Sequence, residues 1–394
     1  MKVLFLVHTP VDSEPVVFSL GRALTQLGDQ VLCVGYSNNG LAPKSLPQQG
    51  FEIVRVLRGN WGFLPRPLRG AVRLSRYWCS AAALARDYDP DAVVSFGYDV
   101  LPLAHRLSSP ACAHVYYCTE YSPTPTLRDY YTGFGVLKRF EKHFILEMDY
   151  VVSVEPNRAA VQAREWKRNV DCVILNAPLF NDALDRHARA CLSGGGPLRL
   201  VYAGGVAPRN CLPQLFQAIA TRPTVTLDIY GWIQPSYRKE FLKLLDQWTR
   251  ASGNRIALHP QVAYQDLPHT LAAYDAGVCL YDAAHPNTAW ASPAKLFEYM
   301  RSGLAVLTTD QPTPKQVVER SDAGVVIPAA DLRLIEQALD ELTSQPQRLL
   351  GMRRNALKFF RSDYCYQRQS APLLEWMHSL QRERLKVTAG YARS

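Results

Sequence analysis

Short apolar runs alternate with longer stretches of helical periodicity from the first residues onward. "KVLFLV" is followed by a helical pattern through "VVFSLGRALTQLG", then by "QVLCVG", "FEIVRV", "DAVVSF", "AHVYY", "DYVVSV" and "CVILNAP". Parallel strands need helical crossovers, so this alternation predicts a doubly wound parallel sheet over residues 1–177. A second series repeats the logic over 197–360: "LRLVYAGG", "VTLDIYG", "RIALHP", "AGVCLYD", "LAVLTTD" and "GVVIP", with helical patterns between them. The intervening "LFNDALDRHARACLSGGGP" ends in three glycines and has no clear strand, so 178–196 reads as a linker. The closing "CYQRQSAPLLEWMHSLQ" is amphipathic, which predicts that 361–394 holds a helix packed back on the first domain, plus a tail.

The expected fold class is therefore α/β, with two Rossmann-like domains facing each other across a cleft. In such sheets ligands bind beyond the carboxyl ends of the strands. Two turns there carry unusual polar residues. In "YAGGVAPRNC", Gly204 and Gly205 follow a strand directly and Arg209 lies near the start of the next helix. Glycines let backbone approach a phosphate, and a helix N-terminus adds partial positive charge. A bare Gly-Gly turn with a solvent-facing arginine fits the same residues. In "ASPAKLFEYMRSG", Ser292 is the expected cap, Pro293 the first turn, Leu296, Phe297 and Met300 the apolar stripe and Gly303 the stop. That helix places Lys295 as a second anion ligand or a surface lysine. Glu298 either faces the cleft, where it can accept two ribose hydroxyls, or is an ordinary exposed glutamate.

Composition narrows the classes. Of 394 residues, 47% are hydrophobic and 20% charged, which is globular rather than disordered. Nine scattered cysteines with no CxxC pair argue for a reduced, cytoplasmic setting and against a zinc site. The opening "MKVLFLVHTP" is too short for a secretory core, and no run of about 18 apolar residues occurs. The net charge of +9 is uneven: Arg55, Arg58, Arg66, Arg69, Arg73, Arg76 and Arg86 fall in a stretch without Asp or Glu, interleaved with Trp61, Phe63, Leu64, Leu68 and Trp78. That pattern suits an anionic membrane surface, so the expected placement is peripheral on its inner face. A basic groove for a phosphorylated acceptor or a solvated helix face fits it too, and nucleic acid fits it less well. Asp87 and Asp89 in "RDYDPD" have metal-binding spacing but lie between a helix end and a strand start, away from the ligand edge, so no metal is expected.

"SPAKLFEYMRSGLAVLTTD", "LRLVYAGGVAPRN", "VILNAP" and "RIALHPQVAYQDLPHTLAAYDAGVCLYD" resemble the donor half of retaining glycosyltransferases of the GT-B architecture, glycosyltransferase family 4-like. The likeness spans roughly 140–360 and is weak before that. It implies that Arg209 and Lys295 bind a diphosphate and that Glu298 binds ribose. It further implies that Gln261 and Val262 border the base, that Tyr230 and Gly231 line the nucleotide pocket, and that Ser292, Pro293 and Ala294 belong to the donor seat. Two departures stand out. Relatives often place another glutamate where this chain has Trp290, leaving backbone groups, Asn287 or Thr288 to meet the sugar. Relatives also often carry a histidine where "YYCTEYSP" has Thr119, beside Glu120. Glu120 orients or deprotonates the acceptor, or pairs with a nearby arginine, and His8 and Thr9 complete the acceptor side.

The expectation is a hexosyltransferase with catalytic residues Arg209, Lys295 and Glu120. It would move sugar from a nucleotide diphosphate donor, a UDP-sugar, to a hydroxyl acceptor that could be lipid-linked. No cofactor is expected beyond that substrate, and no nucleic acid. The rivals are an epimerase or hydrolase on the same architecture and a silent nucleotide-sugar-binding protein, the latter consistent with Trp290.

Overall fold

The computed structural model describes residues 1–11, 14–36, 50–57, 59, 61, 63–107, 112–121, 133–192, 195–284 and 286–391. Contacts divide the chain into two units, Met1–Leu175 with Gln369–Ser394, and Asn176–Arg368. The first holds β1 (Lys2–Pro10), β2 (Gln30–Tyr36), β3 (Glu52–Val56), β4 (Ala92–Phe96), β5 (Ala113–Cys118), β6 (Tyr150–Ser153) and β7 (Cys172–Val173). They form a seven-stranded sheet in the order β3-β2-β1-β4-β5-β6-β7, and every pairing is parallel. Chain direction across the sheet reverses between β1 and β4, so this sheet's switch point lies where Val7 pairs with Phe96. Strands covered on both faces have no polar side to alternate with, which is why "VLFLV" and "AVVSF" read as unbroken apolar runs. Arg55 belongs to β3 and is buried, so it drops out of the basic surface expected of its segment, and Arg58 lies outside the described residues.

The buried Tyr77, on the helix Arg66–Tyr88, ties this sheet together. Its hydroxyl accepts from the Val7 N–H and donates to the Val34 carbonyl, each at 2.8 Å. The helix stops at Asp89, which takes a left-handed φ of 51°, so Asp89 serves as its C-terminal cap. The final helix, Tyr366–Tyr391, contributes its later residues to this first unit. There Trp376 packs on Tyr150 with ring centroids 4.7 Å apart, and His378 Nε2 meets Asp29 Oδ2 at 2.8 Å.

The second unit holds β8 (Leu198–Ala203), β9 (Val225–Tyr230), β10 (Ile256–His259), β11 (Ala276–Cys279), β12 (Ala305–Thr309) and β13 (Gly324–Ile327). The order is β10-β9-β8-β11-β12-β13, again parallel throughout, with the switch between β8 and β11. Phe216 and Phe241, from the helices Leu212–Ala220 and Arg238–Ala251, fill one face of its core. Fully buried Arg353 donates from Nη1 to Asp275 Oδ1 at 2.8 Å, and Arg199 grips the same carboxylate with Nε and Nη2 at 3.0 Å. The stretch read as a linker contains the helix Asp182–Ala190. Asn181 caps it by accepting from the Ala183 and Leu184 N–H groups, and Asp185 holds Arg189 one turn on. Among the described residues, no helix is long and apolar enough to cross a membrane.

Candidate functional site

At the switch point of the second sheet, β8 and β11 pair only as far as Val201 and Gly277 and then separate. Separation leaves the Ala203 N–H without a strand partner, and the Tyr299 hydroxyl supplies one at 2.9 Å while itself donating to the Val278 carbonyl at 3.2 Å. Any Cβ on Gly277 would lie 2.2 Å from the Tyr299 ring, so a bare backbone there is what lets the helix Ala294–Arg301 dock against the opening. This fully buried tyrosine sets the rotation of that helix and so where Lys295 and Glu298 project.

Lys295 reaches the glycine turn. Its Nζ stands 3.8 Å from the Tyr202 ring centroid and 5.5 Å from that of Tyr281, and a Cβ on Gly204 would meet its Cε at 3.4 Å. Burial pushes the Lys295 ammonium down to about 8; Cys279 opposes the fall and neighbouring Arg209 adds to it. Gly204 has φ +136 and Gly231 φ +154. The Gly204 N–H bonds the Tyr230 carbonyl at 2.9 Å, and a Cβ on Gly231 would sit 1.9 Å from the Gly204 carbonyl oxygen. Glycine is required at 231, where two backbones touch. Gly205 lies against the indole of Trp232, which is itself exposed.

Arg209 lies in the short turn Pro208–Asn210, ahead of the helix that begins at Leu212 rather than at its start, and its carbonyl accepts from the Asp282 N–H at 3.0 Å. A left-handed Cys211, φ 51°, separates turn from helix. Ser292 is not the expected cap. The helix starts one residue later, with Pro293, extended at ψ 123°, in the cap position, where proline has no side-chain acceptor to offer the first N–H groups. No side chain caps this helix, and the buried Ser292 Oγ has no hydrogen-bond partner, so the N–H groups at Ala294 and Lys295 open beside an unused hydroxyl. Trp290 is half-buried and Thr288 buried, while the Asn287 side chain lies outside the described residues.

Glu298 is only 4% exposed. Tyr264 donates to its Oε1 at 2.9 Å, and Arg301 Nη2 stands 2.6 Å from Oε2. Desolvation raises its carboxyl above the ordinary range, with Arg301 and Tyr264 opposing. Through Tyr264, the loop bearing Gln261, exposed, and Val262, half-buried, is tethered to this carboxylate. The Tyr230 side chain joins a different group: it stacks on His259 at 4.7 Å and shares a 2.8 Å hydroxyl contact with Tyr274, which donates to Asp228.

In the first unit, His8 leaves the end of β1 at that sheet's switch point. Its Nδ1 pairs with Asp99, in the turn after β4, and its Nε2 lies 3.2 Å from the Tyr36 hydroxyl. Thr9 donates to Glu14 Oε1 at 3.0 Å. Burial raises the Glu14 carboxyl, Thr9 lowers it, and the exposed Glu120 raises it further, which puts both glutamates in one electrostatic neighbourhood. Asp99, Glu14 and Tyr36 were not singled out in the sequence. Asp87 and Asp89 sit at the opposite end of the strands, and among the described residues no group of three or more His, Cys, Asp or Glu is disposed to hold a metal.

Two parallel α/β sheets, one with a glycine turn and an uncapped helix start at its switch point, define a GT-B glycosyltransferase fold. Residues 167–345 match the family model described as glycosyl transferases group 1. Solved structures agree on the fold. Sucrose-phosphate synthase from Thermosynechococcus elongatus is 16% identical over 98% of this chain and 100% of its own, with a TM-score of 0.72. Anabaena HepE in complex with UDP-glucose is 15% identical over 96% and 100%, TM-score 0.68. WaaG, a glycosyltransferase involved in lipopolysaccharide biosynthesis, is 15% identical over 94% and 98%, TM-score 0.65. No curated protein matches the sequence.

Proposed function

We propose that the protein transfers a hexose from a UDP-sugar to a hydroxyl acceptor, with retention at the anomeric carbon and without a metal. The observation that carries this reading is the convergence of Lys295, Arg209 and the uncapped start of Ala294–Arg301 on the turn Gly204-Gly205. When the bond between the anomeric carbon and the β-phosphate oxygen breaks, its electron pair leaves with the diphosphate. Fixed cations and N–H dipoles at that oxygen stabilise the charge as it develops, each such donor contributing about 3 kcal/mol. The acceptor oxygen bonds to the same face of the sugar, and its proton passes to the departing phosphate oxygen. No enzymic nucleophile is then consumed. Glu298 takes the ribose, and the loop of Gln261 and Val262 borders the base. That HepE has been solved with UDP and with UDP-glucose supports the choice of donor. On the acceptor side we place His8, Thr9 and Glu120, with Asp99 orienting the imidazole.

The test is UDP release from a panel of UDP-sugars, with and without candidate acceptors, beside titration of UDP into the Glu298→Ala variant. Acceptor-dependent release together with weakened binding supports the reading. Binding without turnover across the panel favours the silent nucleotide-sugar-binding protein that Trp290 also fits, and release that ignores acceptor favours a hydrolase.

The acceptor or its carrier is proposed to lie on an anionic membrane, as in polysaccharide or glycolipid assembly. Phe63 is 77% exposed and packs near Trp61, Leu57 and Leu68 are exposed, and Arg76 and Arg86 stand out to solvent nearby in sequence. A second helix, Gly133–Ile145, exposes Val136 and Phe140 beside Arg139, Lys142 and His143. Guanidinium and ammonium groups meet headgroups while the apolar side chains enter the interface. Co-sedimentation with phosphatidylglycerol vesicles should fall as salt rises; no pelleting at low salt removes the membrane.

A further inference from the structure

Glu298 has two neighbours before any ligand arrives, a hydrogen bond from Tyr264 and an ion pair with Arg301, and they differ in how firmly they are held. Arg301 lies three residues on along the same helix, is itself buried, and stands 2.6 Å from Oε2. Pulling it away would strand a buried guanidinium, so that contact persists through ligand binding. Tyr264 comes from the loop after β10 and is 37% exposed, with its hydroxyl 2.9 Å from Oε1. Its exposure lets water replace Oε1 as the hydroxyl's partner. A ribose diol offers two O–H donors to one carboxylate, and Oε2, though it accepts no aligned hydrogen bond, is sealed from solvent beside the Arg301 guanidinium. Room for the diol must be made at Oε1.

We propose that Tyr264 is a positioning residue that occupies the ribose seat in the empty protein and is displaced by the donor. This deepens the donor reading and rests on it. While the seat is empty, the phenol keeps a buried carboxylate from being left half-solvated, which would be costly. When the donor enters, a ribose hydroxyl takes over at Oε1 and the phenol moves, carrying with it the loop of Gln261 and Val262 three and two residues upstream. Ribose recognition and the setting of the base loop are thereby one event. The guanidinium of Arg301, 5.7 Å from the Tyr264 ring centroid, gives the ring a cationic surface to slide along without leaving Glu298.

The test is calorimetric titration of UDP, 2′,3′-dideoxy-UDP and inorganic pyrophosphate into the wild type, Tyr264→Phe, Glu298→Ala and the double variant. Removing the hydroxyl removes the competitor, so Tyr264→Phe should bind UDP about 5-fold more tightly, the worth of one net hydrogen bond. Pyrophosphate and the dideoxy compound should bind the two proteins alike, and the gain should vanish in the Glu298→Ala background. Unchanged or weaker UDP binding by Tyr264→Phe, an equal gain for pyrophosphate, or a gain that survives Glu298→Ala would each overturn the proposal. If Glu298→Ala alone binds UDP as the wild type does, the ribose seat itself is wrong and the placeholder falls with it. A weakened Glu298→Ala beside an ungained Tyr264→Phe sinks only the placeholder.

Discussion

Lys295 gives the sharpest test of the diphosphate site. Its ammonium lies over two tyrosine faces with Arg209 nearby, and desolvation lowers it from 10.5 to about 8. Charging it in the empty site therefore costs about 3 kcal/mol, an upper figure because the side chain keeps some water. Between pH 8 and 10.5 the unfolded chain binds more protons at this residue than the folded one, so its contribution makes the free protein more stable as pH rises through that window. Ligand binding runs the other way. A diphosphate beside the ammonium favours the charged form, so above pH 8 binding must draw a proton from solvent. UDP affinity should then fall about tenfold between pH 7 and pH 9, with uptake approaching one proton at pH 9. Isothermal titration in two buffers of different ionisation enthalpy measures both quantities. Lys295→Met should bind UDP about 10- to 100-fold more weakly at pH 7 and lose this slope. The nucleotide's own ionisations are common to both proteins and cancel in the difference. Parallel pH profiles for wild type and Lys295→Met, with equal proton uptake, would refute the reasoning.

Other expectations follow from particular contacts. Gly231→Ala forces a Cβ to within 1.9 Å of the Gly204 carbonyl at a φ of +154°, and should lower stability by about 2 kcal/mol or more and weaken UDP binding. An unchanged melting temperature and affinity would show that the turn can relax. Asp275→Ala leaves Arg353 buried beside Arg199 without their shared carboxylate and should cost about 3–5 kcal/mol in denaturant unfolding, whereas a loss below about 1 kcal/mol would mean that other groups carry the charge. Asp99→Asn should reduce kcat/KM for the acceptor while leaving UDP affinity unchanged, and altered UDP affinity would place the His8–Asp99 pair elsewhere in the reaction.

The two sheets were legible because strands buried on both faces carry continuous apolar runs bounded by turn residues. The glycine turn and the Lys295 helix were legible because glycine, lysine and the apolar stripe of Leu296, Phe297 and Met300 are local signals. What the sequence could not show are partners set by tertiary distance. Tyr264 lies 34 residues from Glu298, Asp99 lies 91 from His8, and Tyr299 lies 96 from the Ala203 N–H it satisfies. Nothing in the spacing of these residues announces the pairing. The helix Asp182–Ala190 escaped because it is only nine residues long and buries just Asp185 and Ala188. Ser292 reads as a cap by residue type, but Pro293 is itself extended at ψ 123° and takes the cap position, leaving Ser292 one residue outside the helix.

The last helix belongs, from Gln369 on, to the unit that begins the chain, where Trp376 covers Tyr150 and His378 meets Asp29. Its gene segment and the first 175 codons are thus one folding module written in two places. A protein cut after Leu175 would expose the Tyr150 ring and strip a partner from Asp29, inviting aggregation of the fragment. Recombination that grafts a foreign amino-terminal half onto this chain must carry its own carboxyl-terminal helix along, or inherit a mismatched seam.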